Sequence, residues 1–377
     1  MRIQPGALRL PPLLALGPLL LALAASPAIS STLTLQPLLE SDTDLLRVAP
    51  QEDGTAVVLR EREVGLASQG PFVVRASAGA QQTLTIADEG GWIGIADHRP
   101  GAADFAPVAS FTLLAPDGRT AWSLGETEDV AFLISGQGRV AGLQLNINVP
   151  DRNRLRFYGD GGEVVADLPL PYLEGASFDP SGRRLFALSS LDGLHAFTVD
   201  GEELWSLPGA RMFAPSAGGD LVAAIAGDAL VVVRDGRPDA PIPLDGLLVR
   251  RVAVAPDGGR LAIADKHEIR VFSVGARIPE WNVDLTSERL AVTSLDLADG
   301  RGWLLAGLAR DLGEQVPILE RHPSGEVRAY DADGRLEHSA TMPFPIWNIW
   351  TPTARIDRSG HAATITTRRS VYRVALP

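Results

Sequence analysis

The chain has 377 residues, a net charge of −12, 38 glycines, 28 prolines and no cysteine. That charge argues against nucleic acid, whose binders need a basic face, and the missing cysteines exclude disulfides, a lipidated cysteine anchor and thiolate metal sites. No apolar period of 3.6 residues persists beyond residue 40, so the composition suits many short strands joined by tight turns.

At the start, Arg2 and Arg9 precede an uncharged run from Leu10 to Ile29. A basic start, an apolar middle and a small-residue end are the order of an export signal, with cleavage after Ala28 or Ser30. About twenty apolar residues also suffice to span a bilayer, so a retained signal-anchor helix stands beside a cleaved signal peptide. With both arginines on the near side, either outcome leaves the rest of the chain outside the cytoplasm. The expected address is therefore periplasmic, or the extracytoplasmic face of the inner membrane. Residues 31–55, rich in Ser, Thr, Asp and Pro around short apolar stretches, read as a linker, and residues 56–377 as a β-propeller.

Two strand candidates, Ala56–Glu63 and Phe72–Ala76, precede a recurring pair of glycine turns. The first turn of each unit recurs in forms such as FDPSGRRLFAL (Phe178 to Leu188) and VAPDGGRLAIA (Val254 to Ala264). Pro presets φ, Asp or Ser bonds its own backbone, Gly takes the positive-φ site, and the flanking apolar runs pair as a hairpin. Gly91, Gly138, Gly182, Gly218, Gly258, Gly300 and Gly360 mark seven such turns. A second turn recurs six times, as in LRFYGDGGEVVADL (Leu155 to Leu168) and VRAYDADGRLEHSAT (Val327 to Thr341). Two hairpins per unit make a four-stranded propeller blade. The expectation is an all-β, seven-bladed β-propeller, with six blades as the alternative. Its last blade lacks an outer strand, which Ala56–Glu63 or Phe72–Ala76 is expected to supply, because an open sheet edge invites aggregation.

Trp122 and Trp205 each stand four residues after a turn glycine (Gly118, Gly201), and Trp281 stands six after Gly275. Over about residues 80–377 this resembles the Gly-x-x-x-Trp repeat of quinoprotein-like (PQQ-like) propellers, and more loosely that of WD-repeat proteins. The resemblance implies that the outer-strand tryptophan packs each blade against its neighbour.

Long connections between second and third strands are expected at residues 97–107, 146–154 and 309–325, on one face of the ring. The inter-blade segment MPFPIWNIWTP (Met342 to Pro352) joins them with two tryptophans among prolines. Long loops on a rigid scaffold often carry function, and exposed aromatics make good interface anchors. The expected partner contacts are Trp347, Trp350, His98, Arg99, Arg152, Arg321 and His322. No nucleophile elbow, phosphate-binding glycine loop or metal-ligand spacing occurs, so no catalytic, cofactor or metal site is expected. These features predict an exported, non-enzymatic scaffold that binds protein partners in the cell envelope, membrane-anchored if the signal is retained. The alternatives are a quinoprotein- or lactonase-like exported enzyme and a small-molecule or sugar sensor.

Overall fold

Eight antiparallel sheets, each with its strands in order from a central axis outward, make up the computed structural model. It describes residues 31–51, 53–99, 106–146, 148–299, 302–311, 325–342, 353–357 and 361–376. Blade 1 comprises Leu45–Pro50, Ala56–Arg60, Glu63–Ala67 and Val73–Ser77. Blade 2 comprises Gln82–Ile86, Ile93–His98, Val108–Leu114 and Thr120–Leu124, and blade 3 Ala131–Ile134, Val140–Gln144, Arg154–Tyr158 and Val164–Pro169. Blade 4 is Leu173–Phe178, Arg184–Ser189, Gly193–Thr198 and Glu203–Leu207. Blade 5 is Ala210–Pro215, Leu221–Ala226 and Ala229–Arg234, its outer strand split into Arg237–Pro238 and Ile242–Pro243, as prolines on an edge demand. Blade 6 is Arg251–Val254, Arg260–Ala264, Glu268–Ser273 and Trp281–Asp284. Blade 7 is Leu290–Leu297, Leu304–Arg310, Gly325–Tyr330 and Leu336–Thr341.

Blade 8 holds Thr353–Ile356, Ala362–Thr366 and Ser370–Ala375, and its outer strand is Gln36–Glu40 from the other end of the chain. The expected closure by an amino-terminal strand is therefore present, but the expected seven blades are eight. Ala56–Arg60 and the strand after Phe72 do not close the ring; they belong to blade 1, whose first turn runs from Gln51 to Thr55 around Gly54 (φ +82). Residues 31–55, expected as a linker, hold the closing strand, the innermost strand of blade 1 and a fifth strand of blade 7. That fifth strand, Ser31–Thr32, runs parallel to Leu336–Thr341. The apolar run Leu10–Ile29 lies outside the described residues. Among the described residues no helix is long and apolar enough to cross a membrane, and the helical content is one 3-10 turn, Pro150–Arg152, so the expected anchor helix is not seen there.

The core is divided into eight layers, one between each pair of neighbouring blades. Second strands are covered on both faces and read as unbroken apolar runs, as in Leu221–Ala226 and Leu304–Arg310. Outer strands are half-exposed and alternate, as in Val164–Pro169. The layer at the seam joins Leu38, Leu39 and Val371 of blade 8 to Leu45, Ala56 and Val58 of blade 1.

The tryptophans bear out the packing that the repeat resemblance implies. Each lies on the second-turn glycine of the following blade: Trp122 on Gly162, Trp205 on Gly236 and Trp281 on Gly334. The indole Nε1–H of Trp281 also donates to the Ala332 carbonyl at 2.8 Å. A side chain at any of these glycines would meet the indole, with closest approaches of 2.8, 2.8 and 2.6 Å.

Gly118 and Gly162 occupy equivalent turns of blades 2 and 3 with φ of +83 and +84, but only Gly162 faces an indole. Gly118→Ala is expected to cost about 1–2 kcal/mol through left-handed backbone strain alone. Gly162→Ala carries the same strain plus about 1–3 kcal/mol of overpacking against Trp122. Paired urea denaturation measures the difference; equal losses would show that the indole contact contributes nothing.

Candidate interaction face and central channel

The innermost strands enclose a channel of about 680 Å³. Every first strand enters it from the face that carries the second-to-third and inter-blade connections, here the loop face. Each leaves at the face that carries the hairpin turns, here the turn face. Four charged side chains from four consecutive blades converge on the channel wall toward the turn face. Arg47 of blade 1 donates to Asp88 of blade 2 at 2.9 Å, and Arg355 of blade 8 reaches the same carboxylate oxygen at 3.5 Å. Asp296 of blade 7 accepts the Ile356 N–H at 2.7 Å and the Leu297 N–H at 3.0 Å.

The two carboxylates are pushed in opposite directions. Burial acts to raise Asp88, but Arg355 and Arg47 more than offset it and hold the group below the usual carboxylate value. Asp296 has only backbone donors and the field of Arg355 against its burial, and is pushed up to about 6. Two arginines against two carboxylates leave the quartet neutral while both are ionised, and it straddles the seam where the ends of the chain meet. Beyond it the channel opens into a basin of about 690 Å³ on the turn face, lined by Asp53, Arg75, Glu89, Arg183 and Asp357 among others.

A second buried carboxylate, Asp129, lies between blades 2 and 3, where Tyr158 and Thr127 donate to it and Arg156 stands 3.6 Å away. Gly142 packs directly against it, so this group is enclosed by the fold and faces no cavity. Among the described residues no group of three or more His, Cys, Asp or Glu side chains is placed to hold a metal.

The anticipated contact residues divide as follows. His98 closes the second strand of blade 2, its Nε2 2.9 Å from the Thr83 hydroxyl. Arg99 follows it and pairs with Glu126, while Arg152 stands exposed on the 3-10 turn of blade 3. These three share the loop face of adjacent blades. Trp347, Trp350, Arg321 and His322 lie outside the described residues. The long connections belong to blades 2, 3 and 7 and to the passage from 7 to 8, all on the loop face. The connection of blade 7 is separated from those of blades 2 and 3, because blades 8 and 1 intervene with short turns at Thr367–Arg369 and Glu61–Arg62. There Arg368 clamps Asp44 with two hydrogen bonds of 2.8 and 2.7 Å.

The sequence reading missed the channel quartet and the apolar residues Tyr172, Leu191 and Leu248 on the loop face. Nothing in the spacing of residues 47, 88, 296 and 355 marks them; only ring closure brings them together.

No family model matches the chain, and no curated protein is similar to it in sequence. The structure is similar to the C-terminal WD40 domain of Sif2, with a TM-score of 0.61 and 10% identity over 92% of this chain and 99% of that one. It is also similar to Sqt1 of Saccharomyces cerevisiae, with a TM-score of 0.59 and 12% identity over 92% of this chain and 100% of that one.

The folded protein holds the Asp296 proton more tightly than the unfolded chain does, where the ordinary value of 3.8 applies. The associated stability is complete below that value and is lost as pH rises through about 6. Asp296→Asn is expected to abolish this part of the stability gained between pH 7.5 and pH 5, about 1 kcal/mol after screening by channel water. Urea midpoints of both proteins across that range check it; an unchanged pH slope in the variant would reject the assignment. In architecture the chain is an eight-bladed β-propeller, similar in fold to the solved WD40 domain of Sif2.

Proposed function

We propose that the protein is an exported, non-enzymatic scaffold of the cell envelope that binds protein partners through its loop face. The observation that carries this reading is where large apolar side chains remain exposed. Among the described residues and apart from the outer strands, Leu46, Tyr172, Leu191 and Leu248 stand on the loop face, against Ile278 alone on the turn face. Tyr172 and Leu191 adjoin, since the Ser190 N–H donates to the Tyr172 carbonyl at 3.1 Å. Contiguous exposed apolar surface on a rigid fold marks an interaction site. The connection of blade 3, with its turn Pro150–Arg152, lies on the same face.

Export rests on the order of Arg2, Arg9 and the apolar run Leu10–Ile29. The strand Ser31–Thr32 runs alongside Leu336–Thr341 from the turn face toward the loop face. The channel quartet is neutralised internally, which favours a structural role for it over ligand capture.

A photoreactive amino acid placed at Leu191 or Leu248 in the full chain is expected to crosslink a discrete envelope protein, and one placed at Asp117 on the turn face is not. Leu191→Asp with Leu248→Asp is expected to remove that crosslink while shifting stability by no more than about 0.5 kcal/mol, as for exposed positions generally. Crosslinks from Asp117 alone, or reporter fusions showing the ring in the cytoplasm, would overturn the reading.

A further inference from the structure

The loop face carries an arc of arginines that form no ion pair among the described residues. Arg211 of blade 5, Arg250 and Arg251 of blade 6 and Arg289 of blade 7 stand at or just before the starts of three consecutive innermost strands, around the channel mouth. All four are exposed, and none has a carboxylate partner among the described residues. Elsewhere arginines are commonly paired: Arg154 with Asp167, Arg234 with Asp239 and Arg260 with Glu280, for example. In a chain of net charge −12, four neighbouring arginines at the starts of three consecutive innermost strands without such pairing form a local exception.

The arc is held in place by carbonyls. Arg211 reaches the Val249 carbonyl across the gap to blade 6 at 3.4 Å. Arg251 donates to the Thr293 carbonyl of blade 7 at 2.6 Å and to the Arg250 carbonyl at 2.7 Å. Carbonyls orient a guanidinium without cancelling its charge, and Arg251 lies in the channel wall, where burial and its neighbour Arg250 lower its proton affinity. Of the nearby acids, Glu288 pairs with Arg328, Asp311 with Lys266, and Asp265 caps its own turn, while Asp228 and Asp245 are exposed and pair with none of the four arginines. Glu174, on the innermost strand of blade 4, bounds the arc.

Apolar contact surface adjoins these charges. In the connection before the blade 6 strand, Leu247 and Val249 are buried in the core between blades 5 and 6, while Leu248 and Arg250 are exposed. Leu248 is 72% exposed and Leu191, on blade 4 at the other end of the arc, 64%. Cations in a row flanked by apolar side chains complement a polypeptide segment that alternates carboxylates with apolar residues.

We propose that this arc is the docking site for an acidic, apolar-studded peptide segment of the partner. The proposal rests on the loop-face reading and adds the chemistry of what binds. The test is fluorescence anisotropy of a labelled peptide of alternating Glu and Leu, about a dozen residues long, titrated with the full chain at low and physiological salt. Saturable binding that weakens with salt is expected, with at least about a tenfold loss of affinity in Arg250→Glu/Arg289→Glu. These two side chains make no hydrogen bonds in the described structure, so the variant is expected to keep its fold. If circular dichroism shows otherwise, Arg211→Gln/Arg289→Gln takes its place. Arg119→Glu/Arg335→Glu, on the turn face, is expected to bind as the parent does. No saturable binding, binding unchanged by the loop-face substitutions, or equal loss from the turn-face pair would overturn the proposal. Crosslinks from Leu191 and Leu248 that persist alongside such a failure would sink the acidic-segment chemistry and leave the loop-face reading standing.

Discussion

The ring exists because one strand is supplied from the far end of the chain. Gln36–Glu40 pairs with Ser370–Ala375 and completes blade 8, so the last sheet has no open position and the first blade has something to pack on. Leu38 and Leu39 sit in the layer between blades 8 and 1, and without them Val371 would face water. Two electrostatic clamps reinforce the same seam. Arg368 and Arg369 hold Asp44 on the loop face, and the channel quartet links blades 7, 8, 1 and 2 from within. Closure thus couples the termini, and every other blade contact presupposes it.

Around the rest of the ring, stability is repeated between blades. Each layer is a sheet-on-sheet contact of small and branched side chains, and alternate outer strands lock it with an indole laid on a turn glycine. The intervening blades place Ala166 and Ala240 four residues after their turn glycines, where blades 2 and 4 have tryptophan. A glycine is required where the indole lies because the turn needs positive φ and the ring needs the space. The outcome is a rigid annulus whose turn face is built of tight hairpins. The loop face is less uniform, and its connections both contribute to the layers, as Leu244, Leu247 and Val249 do between blades 5 and 6, and leave side chains exposed.

That division explains why the proposed binding residues sit where they do. Leu248 and Arg250 are exposed while Leu247 and Val249, their neighbours in the same connection, are buried between blades 5 and 6. The buried pair anchors the connection, and the chemistry of the exposed pair is the part open to selection. The channel quartet shows the contrary case, in which charges are gathered inside and neutralise one another.

Much of this was legible in the residues. Paired glycine turns flanked by apolar runs announced a propeller, and the tryptophans four residues past their turns announced how blades would pack. The blade count was misjudged because blade 1 has a longer, acidic first turn (Gln51–Thr55) and a two-residue second connection, which together read as linker. The motif was there in VAPQEDGTAVVL (Val48 to Leu59), one residue longer than its counterparts. What no linear reading could supply is convergence. Local sequence determines turns and strands because those depend on neighbours a few residues apart. Arg47 meeting Arg355 across Asp88, and Arg211, Arg251 and Arg289 sharing one rim, depend on how many blades close the circle, and only the tertiary structure decides that.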